Sequence, residues 1–194
     1  MKWIKTTLIA LFVSVLTLMP IMSEGTHVMG SDIRWECVGE DTFKITVQVY
    51  RDCNGVNLSA TPVTAFSNCG SKRLNTTRNG GRDITPVCDS RGCSFKYGIE
   101  VYELTTILIV SDWRKNGCCE VTLTWQQCCR NGAITTGAAN QNFYVEAKLN
   151  ICQDPCDNSP TFTGDPLAII CLGRDFIYNQ GAQDKDLAKG GGLA

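Results

Sequence analysis

Histidine is almost missing from this chain: His27 is the only one among 194 residues. A Ser-His-Asp triad or a Cys-His pair needs an imidazole to take the nucleophile's proton, so nucleophilic hydrolysis of that kind is discounted. Cys-x-x-Cys pairs and Cys/His clusters are missing too, which removes the ligand spacing of a zinc site. There is no Gly-x-Ser-x-Gly elbow and no phosphate-cradling glycine loop. Basic clusters are absent: 18 Lys and Arg stand against 19 Asp and Glu, for a formal net charge of −1. Without a patch to neutralise phosphates, nucleic acid is excluded as a partner. Beyond the first residues, apolar runs such as 107–110 and 168–172 fall far below the ~20 apolar residues that span a bilayer. No membrane span is therefore expected in the mature chain. A helical 3.6-residue period is also lacking outside the N-terminus.

The N-terminus carries an export signal. Lys2 and Lys5 form a positive start, residues 8–19 an apolar run, and Pro20 closes it. Ser23 and Gly25 put small residues at the −3 and −1 positions of a cut before Thr26, the layout of a cleaved secretory leader. The reading is therefore residues 1–25 as signal peptide and an exported, extracellular or outer-surface protein.

All 12 cysteines lie after that leader: Cys37, Cys53, Cys69, Cys88, Cys93, Cys118, Cys119, Cys128, Cys129, Cys152, Cys156 and Cys171. An even count in an exported chain reads as a disulfide framework. If residues 119–128 form one extended strand at about 3.3 Å per residue, its ends lie roughly 30 Å apart. The doublets Cys118-Cys119 and Cys128-Cys129 must then be stapled to different elements. Neighbours in a strand point to opposite faces, so each doublet can tie one partner on either side. Cys88 with Cys93, and Cys152 with Cys156, enclose short loops and are candidates to close on each other. Connectivity as a whole stays open, because 12 cysteines allow on the order of 10⁴ pairings.

Alternation with period two dominates the rest. Ile33, Trp35 and Cys37 alternate with Asp32, Arg34 and Glu36; after a short turn Phe43, Ile45, Val47 and Val49 alternate with Lys44, Thr46 and Gln48. Such a pair is a hairpin with one buried face. Strands recur at 97–110, apolar on both faces near its end, and at 119–125 and 143–151, while the Asn-, Gly-, Ser- and Arg-rich stretch 68–82 reads as loop. Short strands without helices predict an all-β, antiparallel Ig-like β-sandwich stapled by disulfides. A domain of residues 26–160 is followed at 161–194 by the incomplete start of another β-domain, with strand-like 168–172 and 176–178, and a disordered end from Asp184.

Candidate sites are sparse. No catalytic residue and no cofactor is expected; paired carboxylates for glycoside hydrolysis are the enzyme alternative, since sequence spacing does not reveal their separation. Asp184 and Asp186, among turn acids that include Asp154, Asp157 and Asp165, are weak calcium candidates. Tyr50, Tyr102 and Tyr144 fall opposite the core series, and Trp113 falls in a loop beside Asp112 and Arg114. Aromatics shown to water on a rigid sheet can stack on sugar rings. The expected function is an adhesin-type structural or binding module that contacts glycans or extracellular surfaces; the alternatives are a secreted carbohydrate-active enzyme and a soluble lectin-like domain.

Five short segments carry a resemblance. The stretch from Thr26-His27-Val28-Met29-Gly30-Ser31-Asp32-Ile33-Arg34-Trp35-Glu36-Cys37 leads to Tyr50-Arg51-Asp52-Cys53-Asn54-Gly55. Cys128-Cys129-Arg130-Asn131 follows with Tyr144-Val145-Glu146-Ala147, and then Asn158-Ser159-Pro160. Together they resemble the N-terminal region of large secreted Bacteroidota surface proteins, the gliding-motility-associated or PKD-repeat adhesin-like kind. The resemblance implies tandem repeat domains as downstream partners and export by a system that reads a C-terminal sorting domain. In that family an Asp-x-Asp-Gly-Asp run follows; here Asp184-Lys185-Asp186 begins it and Leu187 departs from it, as in a truncated member.

Overall fold

Phe43, Ile45, Val47 and Val49 are all fully buried, and their spacing of two fixes which side of their strand meets the core. In the computed structural model, which describes residues 28–85, 98–132, 134–138, 141–166, 175, 177–179 and 181–186, they lie on β2 (Thr42–Asp52). β1 (Val28–Gly39) precedes it, and β6 (Ile99–Ile109) lies on its other side. The exposed β5 (Thr77–Asp83) closes that sheet, giving the order β1-β2-β6-β5. A second sheet has the order β4-β3-β7-β8, from β3 (Val63–Ser67), β4 (Gly70–Leu74), β7 (Glu120–Gln127) and β8 (Phe143–Asn150). All these pairs are antiparallel. Ile33, Val47 and Leu104 from the first sheet and Ala65, Leu123, Trp125 and Leu149 from the second belong to one hydrophobic cluster. The architecture is all-β and antiparallel.

Two stretches differ from the sequence reading. Residues 68–82 hold β4 and β5 rather than a loop. Both are edge strands with little or nothing to bury, so they carry no apolar alternation, and polar or glycine-rich edges protect a sheet from further pairing. The apolar run at the end of β6 is one-sided: Leu108 and Val110 are buried, whereas Ile107 and Ile109 are exposed.

A single helical turn, α1 (Ser111–Lys115), reverses the chain between β6 and β7. Gly117 follows at φ +71, a left-handed conformation that glycine adopts without a Cβ penalty. Arg114 anchors the turn, donating to the carbonyls of Ile151 (2.7 Å) and Pro155 (2.9 Å) and to the Asp41 carboxylate.

Disulfides cross-link these elements. Cys37 bonds Cys156, Cys69 bonds Cys118 and Cys119 bonds Cys152, so the first doublet does reach two different elements. Cys152 and Cys156 do not close their own loop. Each faces a strand end instead, with Cα–Cα distances of 5.2 Å to Cys119 and 5.1 Å to Cys37. The second doublet is bonded to itself, Cys128 to Cys129, rather than to separate elements. Cys53 is also disulfide-bonded, while Cys88, Cys93 and Cys171 lie outside the described residues, as do the leader expected at 1–25 and the strand expected at 168–172.

The segment after β8 returns to the edge of β1. Ser159 N–H donates to Trp35 O (3.0 Å), its Oγ accepts from Trp35 N–H (3.0 Å), and Asn158 Oδ1 accepts from Cys37 N–H (3.0 Å). Beyond it β9 (Thr161–Phe162) pairs with β10 (Ala182–Gln183). Asp186 is buried and accepts from both nitrogens of Asn158; the disordered end expected from Asp184 therefore does not extend over residues 184–186.

Candidate functional site

Because β1, β2 and β6 turn alternate residues inward, the intervening ones form an outer face. Asp32 stands opposite Gln48, and Gln48 opposite Glu103, which sets polar side chains across three adjacent strands. Arg34 gathers them. Its Nε lies 3.2 Å from Asp32 Oδ1, its Nη2 3.6 Å from Glu103 Oε1, and Nη2 also donates to Gln48 Oε1. Both atoms of the Arg34–Asp32 contact are buried. Tyr50 O–H reaches Asp32 Oδ2 at 3.4 Å. Burial raises the Asp32 carboxyl above its ordinary value, against the pull of Arg34 and the Tyr50 hydrogen bond. Burial, with the Asp32 charge, raises the Tyr50 phenol.

The returning tail walls this face. Arg82 on β5 grips Asp165 through two nitrogens, at 3.2 and 2.9 Å, and Tyr178 O–H donates to the Asp165 carbonyl (3.1 Å). Between sheet and tail lies a cleft of about 660 Å³, with Phe162 and Tyr178 on its walls. A second hollow of about 200 Å³ adjoins it, sharing Arg34 and Glu103 and running past Thr46, Thr161 and Lys185. Both lie over the first sheet, and the larger, a groove, is of a size that holds small organic ligands.

The aromatics singled out from sequence are not brought together. Tyr50 is on the outer face as expected, but it is buried, packed with Ile99 and Val101 beneath the groove. Tyr102 turns inward, against expectation: it is 9% exposed and joins the main core. Its ring is flanked by the guanidinium groups of Arg51 (5.7 Å) and Arg78 (5.1 Å). Trp113 belongs to α1 and is 3% exposed, so it is a core residue under Lys72 rather than a loop aromatic. Tyr144 is 50% exposed, donates to Glu146 (2.8 Å) and lies on the second sheet away from the groove. Sequence reasoning missed Asp32, Arg34, Glu103, Phe162 and Tyr178 as site residues, and named Asp165 only among the turn acids considered for calcium. The available signal was a row of charged residues on the polar side of strands whose other side is the core. Asp184 and Asp186 act as local acceptors, Asp184 for the Asp186 N–H and Asp186 for Asn158. Among the described residues no three His, Cys, Asp or Glu side chains are grouped to hold a metal, and no helix is long and apolar enough to cross a membrane.

The distinctive motifs mostly serve the scaffold. Arg51, 2% exposed, pairs with Glu100 (3.1 Å) and donates to the carbonyls of Asp52, Cys53 and Gly55, so it holds the loop after β2 from inside. Asp52 Oδ1 accepts from Asn54 N–H and closes the turn. In Cys128-Cys129-Arg130-Asn131, Cys129 O accepts from Val28 N–H and Asn131 N–H donates to Val28 O, which fastens the start of β1.

Fold and cross-links define the class: an antiparallel all-β protein stapled by disulfides. Comparison with protein-family models, with curated proteins and with solved structures gives no match for this chain.

Proposed function

We propose that this chain is an exported, non-catalytic module of the adhesin type, at the cell surface or secreted, like the Bacteroidota surface proteins it resembles. The observation that carries the reading is the set of cross-links joining residues 119, 49 and 33 positions apart, because such bridges persist in oxidising compartments and are rare in a reducing cytosol. We read the two sheets, which share one core, as the layers of an Ig-like sandwich that presents its outer face to glycans or surfaces. The test is to express the whole chain in a bacterium with two membranes, then fractionate it and map cysteines without reduction. An extracytoplasmic product beginning at Thr26 with Cys37–Cys156, Cys69–Cys118 and Cys119–Cys152 bridged is expected. Reduced protein retaining Met1 in the cytoplasm would overturn the proposal.

A second reading, a secreted carbohydrate-active enzyme, draws on one observation: Asp32, its carboxyl raised by burial, shares the groove with Glu103. A raised carboxyl beside a second one is how a glycosidase divides acid and base roles. Turnover of a glycan substrate, lost in both Asp32→Asn and Glu103→Gln, would replace the non-catalytic reading.

A further inference from the structure

We infer that the groove across the first sheet binds a neutral, linear oligosaccharide, with sugar rings against Phe162 and Tyr178 and hydroxyls on Asp32, Arg34 and Glu103. This rests on the binding-module reading and names its ligand class. Three features of the groove point the same way.

The first is charge. The groove is lined by two arginines and three carboxylates, and each arginine already has a carboxylate partner: Arg34 with Asp32 and Glu103, Arg82 with Asp165. Among the described residues lining it, no cation is left without a carboxylate partner; Lys44 lines only the adjoining hollow. Paired charges instead offer donors and acceptors side by side, which suits a hydroxyl that gives one hydrogen bond and takes another. The buried Ser31 Oγ has no hydrogen-bond partner in the protein, and a buried polar group left that way is costly unless something satisfies it.

The second is the pairing of aromatic wall and polar floor. Phe162 is 51% exposed and Tyr178 is also exposed, both beside the Arg34 network. A sugar has an apolar ring face and a polar rim, and an aromatic wall beside hydrogen-bonding groups meets both. The third is length. The two hollows share Arg34 and Glu103 in their walls and lie side by side along the tail, at Phe162 and Thr161, so there is room for more than one ring. An extended peptide added as a strand is not favoured, because the groove lies on a face and the nearby edge of β1 is occupied by Asn158 and Ser159.

The test uses the full oxidised chain on arrays of neutral and anionic oligosaccharides of increasing length, alongside adhesion to polysaccharide-coated and bare surfaces. Binding of a neutral series with affinity rising with length is expected. Phe162→Ala and Glu103→Gln should each weaken it at least about tenfold at an unchanged melting point, and Tyr144→Ala should leave it unaltered. Two independent groove variants keep the result decisive should either one lower stability. Binding that survives both, or binding of anionic sugars only, refutes the groove assignment and leaves the adhesin reading standing. Adhesion to nothing on either platform refutes both.

Discussion

The bridge between Cys37 and Cys156 spans 119 residues, and its removal has a calculable cost. Taken alone, a loop of that length constrains the unfolded chain by about 5 kcal/mol in the chain-entropy description. It is not alone. With Cys69–Cys118 and Cys119–Cys152 intact, spans of 49 and 33 residues are short-circuited, and the remaining chain path from Cys37 to Cys156 is about 37 residues, worth about 4 kcal/mol by the same relation. Packing adds little, because Cys156 is exposed and Cys37 only half-buried. The double variant Cys37→Ala/Cys156→Ala should therefore lose about 4 kcal/mol in urea unfolding with the other bridges oxidised. The m-value should rise as the unfolded ensemble expands. A loss below about 2 kcal/mol with an unchanged m-value would refute the argument that this bridge acts through the unfolded state.

Three further outcomes follow from the packing. A Cβ on Gly81 would sit 2.7 Å from Tyr102 Cζ, so Gly81→Ala should cost about 1–3 kcal/mol by overpacking, and adding Tyr102→Leu should recover part of it in thermal melts. Arg51→Met leaves the Glu100 carboxylate without its 3.1 Å partner and should cost about 3–5 kcal/mol, with Glu100→Gln in the same chain restoring a measurable fraction. Asp157 is held above its ordinary value of 3.8, first by burial and then by the charges of Asp186, Asp154 and Asp184, with the Trp35 indole N–H opposing. The folded state thus binds that proton more tightly than the unfolded chain, and its contribution to stability falls as pH rises from about 3.8 to the folded pKa, then levels off. Asp157→Asn should stabilise the protein at about pH 7 relative to wild type, with the advantage shrinking toward about pH 4; an advantage that grows on acidification would contradict the sign.

Strands with one buried face were legible because burial and period coincide: Phe43, Ile45, Val47 and Val49 leave no choice of side. On β6 the pattern is ambiguous, since Val101 and Tyr102 are adjacent and both apolar. The register settles it by placing Tyr102 opposite Val49 and Val101 opposite Tyr50, which sends Tyr102 inward and lets Ile99 and Val101 pack with Tyr50 outside. Trp113 was misplaced because one helical turn is too short to show a period. The Cys152–Cys156 pairing failed because nearness in sequence says nothing of where β1 and β7 bring Cys37 and Cys119. The groove was invisible for a related reason: its walls at Phe162, Asp165 and Tyr178 meet β1 only through the tail's return, a contact between residues more than a hundred positions apart.

β1 shows how scaffold and site are kept separate in one strand. Its inward residues Ile33 and Trp35 join the core and Cys37 the cross-link, whereas Asp32 and Arg34 between them line the groove. The floor is therefore set by a strand that is paired along β2 and tied to residue 156, and the Arg34 network inherits that rigidity, as a preorganised site requires. The wall is held differently. Arg82 and Asp165 are both solvent-exposed, and an exposed ion pair contributes about 0–1 kcal/mol, so the tail at 162–166 is fastened over the groove by weak contacts. A rigid floor under a lightly fastened wall places the energetic response to a ligand in the wall. For the proposed oligosaccharide, substitutions in the floor are expected to change which sugar is bound, and substitutions at Arg82 or Asp165 its dissociation rate.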